Sequence, residues 1–246
     1  MIGRGLTRPG TLLLSLFVLA VASTSATAQS PLDACFSIDA RTSADLRIEG
    51  CTRLLESGTL PPSSRATAFQ NRGTAFLGKD DFDRAIADYD QAIKLDPDYA
   101  NAFNSRGVAY QNKGDHERAM QDYDQAIRLA PEDANALNGR CWLRAVVGQF
   151  QGALADCNES LRLRPNSSNT LDSRGFVYLR LGRWDDALAD SDAAVRANPG
   201  NAWALFERGI AKHRKGDLTG GDADIAASRA LDPKAEMELT GLGMTL

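Results

Sequence analysis

The sequence is poor in the residues that build metal centres and catalytic frameworks. Two histidines and four cysteines stand among 246 residues, leaving little room for a zinc cluster or a multi-histidine site. No G-x-S-x-G elbow, Walker loop, H-E-x-x-H helix or dinucleotide fingerprint occurs. There is no excess of positive charge either: 28 Lys and Arg face 32 Asp and Glu, a net charge of −4. A nucleic-acid binder would normally carry a basic patch. The composition is otherwise ordinary for a globular chain, at 43% hydrophobic and 24% charged. Disorder, collagen and coiled-coil rods are thereby excluded. No apolar run reaches the roughly 20 residues of a membrane helix.

The apolar run that does exist is Thr11 to Ala22, preceded by Arg4 and Arg8 and followed by small residues ending in Ala26-Thr27-Ala28. A positive flank, a short apolar core and an A-x-A end are the pattern of a cleaved secretory signal. The alternative is a retained N-terminal anchor. Cleavage after Ala28 removes two Arg and no acid, leaving 26 basic against 32 acidic residues, net −6. The expectation is an acidic protein, periplasmic or secreted, with no membrane span after cleavage.

Beyond Pro62 the chain is periodic. Pro97, Pro131, Pro165, Pro199 and Pro233 each stand 34 residues from the next. Blocks that start at Ala66, Ala100, Ala134, Ser168 and Ala202 align other columns too. Position 8 reads Gly73, Gly107, Cys141, Gly175, Gly209, and position 4 reads Phe69, Phe103, Leu137, Leu171, Leu205. Positions 4, 8 and 11 follow the i, i+4, i+7 rule of one buried helical stripe. The second half of each block repeats it, as in Phe82, Ala85, Ile86, Tyr89, Ala92, Ile93. Glycines 114, 148, 182 and 216 punctuate the middle, and proline stops the second helix. Each block is thus a helical hairpin with small residues where its two helices meet.

The period, the small residues at positions 8, 20 and 27 and the proline at 32 resemble the tetratricopeptide repeat family over Ala66 to Ala235. The wording is also similar to exported alphaproteobacterial repeat proteins. The resemblance implies an all-α solenoid, a right-handed superhelix whose first helices line a concave, peptide-binding or protein-binding surface. The expected organisation is a signal peptide (1–28), an N-terminal hairpin cap (29–65), repeats at 66–99, 100–133, 134–167, 168–201 and 202–235, and a tail (236–246). Repeats 3 and 5 carry Arg144 and Lys212 where the others have an aromatic. Positions 21 and 28, apolar in repeats 1 to 4, become Asp222 and Arg229 in repeat 5, as expected of a terminal cap. The tail reads as one loosely docked turn. Family members that clamp a C-terminal carboxylate place Lys at position 5 and Asn at 6 and 9, and only Asn71 matches that pattern here.

Cys35 and Cys51 are 16 residues apart, as are Cys141 and Cys157. The second pair occupies positions 8 and 24, facing inward within one hairpin, so each pair is expected to form a disulfide stapling two helices. Two charged columns are complete. Position 7 is Arg72, Arg106, Arg140, Arg174 and Arg208, and position 23 is Asp88, Asp122, Asp156, Asp190 and Asp224. They predict an Arg–Asp ladder beside the buried seam; unpaired, solvated charges are the alternative.

With positions 4, 8 and 11 buried, 100° per residue turns 2, 5, 9, 12 and 13 to the other side of the first helix. In repeats 1 and 2 this face is polar, with Asn101, Asn104 and Gln111 among its residues. From repeat 3 onward it gains Trp142, Phe176, Trp203, Phe206 and Ile210 beside Asn135, Asn138, Asn169, Asp172 and Arg180. Aromatic anchors beside amide donors suit an extended peptide. The partner-binding set is therefore expected to be Asn101, Asn104, Gln111, Asn135, Asn138, Trp142, Asn169, Phe176, Arg180, Trp203, Phe206 and Ile210. The alternatives are that the aromatics pack against neighbouring first helices or form a homodimer surface. The function expected is a non-catalytic scaffold or adaptor with a protein or peptide partner, no nucleic acid, no cofactor and no metal. An envelope enzyme with an unrecognised site is the competing class.

Overall fold

The computed structural model describes residues 30–37, 39 and 42–245; the expected signal segment lies outside the described residues. Among these there are thirteen helices and no strand. A short α1 (Pro31–Phe36) pairs with α2 (Ala44–Ser57). Five hairpins follow: α3 (Pro62–Leu77) with α4 (Phe82–Leu95), α5 (Ala100–Asn112) with α6 (His116–Leu129), α7 (Ala134–Val146) with α8 (Phe150–Leu163), α9 (Ser168–Arg180) with α10 (Trp184–Ala197), and α11 (Ala202–Arg214) with α12 (Leu218–Leu231). A last helix, α13 (Ala235–Gly241), closes the chain. Each helix packs on its sequence neighbours. In addition α3, α5, α7, α9 and α11 pack side by side, whereas the second helices of successive hairpins do not touch. The first helices therefore form the tight inner wall of an α-solenoid.

Local chemistry explains the helix boundaries. Asp81, Asp115 and Asp217 cap α4, α6 and α12, accepting the backbone N–H of Arg84, Arg118 and Gly220 at 3.2, 3.1 and 2.9 Å. The turn before each second helix needs one left-handed residue. Gly114, Gly148, Gly182 and Gly216 supply it with φ between 71° and 89°. In the first hairpin the same place is held by Asp80 at φ 57°, the one non-glycine residue with positive φ among those described.

Positions 8 and 24 set how closely the two helices of a hairpin meet. A Cβ on Gly73 would lie 2.8 Å from the Tyr89 ring, and one on Gly107 3.1 Å from Tyr123. In the third hairpin the glycine–tyrosine pair is replaced by the Cys141–Cys157 disulfide, with Cα atoms 5.4 Å apart. The N-terminal pair carries the other bridge, Cys35–Cys51, with Cα atoms 4.6 Å apart. Both bridges are fully buried.

The charged columns form a continuous ladder. Each arginine grips the aspartate of its own hairpin through Nε and Nη2, at 2.5–2.9 Å in all five cases. Its third nitrogen, Nη1, reaches back to the preceding hairpin: to Thr52 (3.0 Å), Asp90 (2.5 Å), Asp124 (2.8 Å), Asn158 (2.7 Å) and Asp192 (3.1 Å). One guanidinium thus fixes both the angle within a hairpin and the step to the next, a use that suits its planar fork of donors. Arg144 and Lys212 join the same ladder, at 2.6 Å from Asp156 and 2.8 Å from Asp224. Their departure from the aromatic column adds a second cation to those two rungs.

The ends of the array are closed differently. In the terminal hairpin Asp222 bonds His213 at 2.9 Å, and Arg229 grips Glu236 at 2.5 and 2.8 Å. The tail, expected to dock loosely, is instead held firmly. Leu239 and Met244 are buried in the same core cluster as Phe176, Phe206 and Ile210. Arg180 donates to the Leu242 carbonyl at 2.5 Å, and Arg214 donates to that of Thr245 at 3.1 Å. The physical reason is the open apolar end of the last hairpin, which these two side chains cover.

Candidate functional site

A groove of about 490 Å³ runs along the inner wall from α5 to α11, floored by position 5 of successive hairpins. In the groove that column reads Asn104, Asn138 and Asp172, with Gln70 preceding it outside the groove, and each of the four carries a buried polar atom with no hydrogen-bond partner. Unsatisfied buried polar atoms are costly, and a row of them at one helical phase is an unmet demand for donors and acceptors. Trp142 and Trp203 line the same groove. Their rings meet edge to face at 5.4 Å, and Trp142 also meets Phe176 at a 59° tilt with centroids 5.0 Å apart. Both tryptophans are half-buried.

At the C-terminal part of the groove stands an acid pair, of which Asp172 lines the groove and Glu207 is wholly buried. Tyr123 packs its ring against Gly139 at position 6 of the next hairpin, where a Cβ would come within 2.5 Å. Two steps on, in the α10–α11 junction, the sizes are exchanged. Position 24 is Ser191 and position 6 is Glu207, whose carboxylate lies 2.9 Å from where a Cβ on Gly175 would stand. Glu207 thus fills the space that the tyrosine ring fills earlier. The shape is conserved along the array, but an acid replaces a ring. Glu207 is fully buried with both carboxylate oxygens unpartnered. Asp172, on the adjacent helix, is 9% exposed, and its Oδ1 is unpartnered as well. Burial pushes the Asp172 carboxyl up to about 7 against a weak opposing bond from Asn201. Burial, then the charges of Asp172 and Asp190, pushes Glu207 well above the usual carboxylate range. Asp190 itself is committed to Arg174.

Sequence comparison agrees with this architecture. A sequence model of the tetratricopeptide repeat matches residues 71–134, 112–168 and 174–236, well over half of the chain. The chain belongs to the tetratricopeptide repeat family. A search of curated proteins finds no match in sequence. Among solved structures the chain is similar to YrrB, described as a tetratricopeptide repeat protein with an unusual peptide-binding site, at 21% identity and TM-score 0.55, covering 80% of this chain and all of YrrB. It is similar to MamA at 21% identity and TM-score 0.54, over 67% of this chain and 96% of MamA. A tetratricopeptide repeat protein from Parabacteroides merdae gives TM-score 0.62 at 19% identity, over 82% of this chain and 78% of the other. At these identities the likeness is one of fold.

Within the tetratricopeptide array the twelve residues expected to bind a partner separate into three groups. Asn104, Gln111, Asn135, Asn138, Trp142, Asn169 and Trp203 line the groove together. Two of them are already engaged locally: Gln111 accepts from the Tyr123 hydroxyl at 3.0 Å, and Asn135 accepts from Arg164 at 2.9 Å. Asn101 is exposed at the start of α5, and Arg180 lies beyond the groove, holding the tail and stacking on Phe150 at 5.3 Å. Phe176, Phe206 and Ile210 require correction. They are 0%, 1% and 3% exposed, core side chains packed between first helices and beneath the tail. Positions 5 and 9 turn inward there because the neighbouring first helices, not a ligand, cover them. The aromatic patch therefore shrinks to Trp142 and Trp203.

The groove's acids were missed as a unit. Asp172 reads in sequence as one polar residue among several, and Glu207 sits at position 6, outside the phases assigned to the groove. The one sequence signal was the exchange of sizes between columns 24 and 6, Tyr123/Gly139 against Ser191/Glu207. Elsewhere, no group of three or more His, Cys, Asp or Glu suited to a metal occurs among the described residues. No helix among them is long and apolar enough to cross a membrane.

Proposed function

We propose that this chain is an exported, non-catalytic scaffold of the cell envelope that holds an extended segment of a protein partner along its inner wall. Membership of the tetratricopeptide family makes protein–protein interaction the class of function. The observation that carries the finer reading is the column Asn104, Asn138 and Asp172, each with an unpaired polar atom and each lining a groove walled by two half-buried tryptophans. An extended backbone offers N–H and C=O groups at short intervals, so it can satisfy such a column where folded surfaces cannot. Export is supported by the positive, apolar, A-x-A start of the chain and by two buried disulfides, which persist in oxidising compartments.

The test is a crosslinked capture from the native cell envelope with the full chain and an Asn138→Ala, Trp142→Ala variant whose fold is verified by circular dichroism. A partner held by the wild type and lost by the variant supports the groove. A partner held by both places the contact elsewhere on the array. Light scattering over a range of concentrations separates a partner from a second copy of the chain.

A further inference from the structure

We propose that the groove anchors its partner through a cation: a lysine or arginine side chain of the extended segment lies along Trp142 and Trp203 and ends on Asp172, with Glu207 behind it. This deepens the peptide-binding reading and rests on it. Three observations converge on one place. Asp172, Trp142 and Trp203 line the same groove. Asp172 is more than nine-tenths buried with an oxygen unpartnered, and Glu207 is wholly buried with two. Among the described residues no lysine, arginine or histidine forms an ion pair with either acid, although every other acid of the buried seam has its arginine.

Chemistry narrows the occupant. A pair of unpartnered buried acids gains nothing from an anion or an aliphatic side chain, whereas a cation lets Asp172 release its proton to solvent and supplies donors and countercharge together. Indole faces are the best aromatic partners for ammonium and guanidinium groups. The alkyl stem of lysine or arginine suits the apolar approach while its head reaches the acid. The groups that face the pair from the packed helices are Ser191 and Asp190 on α10, and Asp190 is already neutralised by Arg174. No charge from the chain itself competes for the site.

The experiment follows the indole N–H signals of Trp142 and Trp203 in nitrogen-labelled full chain, with Trp184 as internal control. The probes are acetylated, amidated seven-residue Ser/Ala peptides whose central residue is lysine, norleucine or glutamate, and n-butylammonium chloride as a free amine. The lysine peptide is expected to shift Trp142 and Trp203 saturably and leave Trp184 unmoved. The norleucine peptide should bind at least ten-fold more weakly, and the glutamate peptide should not bind. Asp172→Asn should weaken the lysine peptide at least ten-fold, Glu207→Gln at least three-fold, and Glu117→Gln not at all. Both acid variants remove a carboxyl that burial forces to hold a proton, so folding is favoured in each. Equal binding of lysine and norleucine peptides, no shift with lysine, or an unchanged Asp172→Asn would overturn the cation anchor. So would n-butylammonium binding as tightly as the lysine peptide, which would make the site one for free amines. The wider reading fails separately, when capture of the native partner survives Asn138→Ala, Trp142→Ala.

Discussion

Replacing Glu207 by Gln should stabilise the protein, and by an amount that depends on pH. The side chain is wholly buried and both its oxygens lack partners. Its carboxyl is therefore held protonated well above the range in which an exposed glutamate ionises. An acid whose native pKa is raised favours the fold below its unfolded value, and that contribution is lost as the pH climbs towards the native value. Each pH unit between the unfolded value of about 4.3 and the raised native one costs about 1.4 kcal/mol of stability. Asp172, raised to about 7, titrates with it, so the two costs are one shared cost and do not add. Glutamine keeps the shape and carries no proton to hold. The expected gain is thus at least ~1 kcal/mol at pH 7.5, a few degrees in midpoint for a domain of this size, and close to zero at pH 4. The assay is thermal unfolding by circular dichroism at pH 4.0, 5.5 and 7.5. A variant no more stable than the wild type at pH 7.5, or one whose advantage is the same at all three values, would refute the buried, unpaired acid.

Other consequences follow from packing and backbone geometry. Asp80→Gly places the residue that the other four hairpins use at a positive φ, and should raise stability by up to ~1 kcal/mol, a few degrees in midpoint. Phe206→Glu puts a charge into a site 1% exposed and should cost at least ~3 kcal/mol. A cooperative wild-type melt from that variant would contradict the burial. Peptide mapping of the unreduced protein should give Cys35–Cys51 and Cys141–Cys157 links, and reduction should lower stability by up to ~3 kcal/mol per bridge. A Cys51–Cys141 link would be incompatible with the two hairpins as they stand.

The architecture was legible because a repeat states its rules several times. One Gly73 is ambiguous, but Gly73, Gly107, Gly175 and Gly209 at the same phase identify a helix contact, and Tyr89 and Tyr123 name the partner. The Arg–Asp ladder was legible for the same reason, since two invariant columns of opposite charge imply a regular pairing. What a single period could not state was the reach of each arginine. Its third nitrogen bonds the preceding hairpin, at Asp90, Asp124 and Asp192, and this link depends on the superhelical step between hairpins.

The binding face was less legible, and the errors have one cause. A helical wheel assigns one inner side to each helix, but the first helices of a solenoid also touch one another, so part of that side is covered. At the middle of the array positions 5 and 9 hold Asn104, Val108, Asn138 and Trp142, half-buried residues that line the groove, and the wheel works. Towards the C-terminus Phe176, Phe206 and Ile210 fill the wall, and the tail seals it with Leu239 and Met244. A wall so filled offers no further room for a ligand. The proposed groove is thus confined to the middle of the array, where Asn104, Asn138 and Asp172 line it. The exchange of Tyr123 and Gly139 for Ser191 and Glu207 marks its boundary: on one side a ring completes the packing, on the other an acid is left without a cation. Since the same volume could have been filled by a tyrosine, as it is twice earlier, packing alone gives no reason for the acid; under the proposed anchor, a partner's cation does.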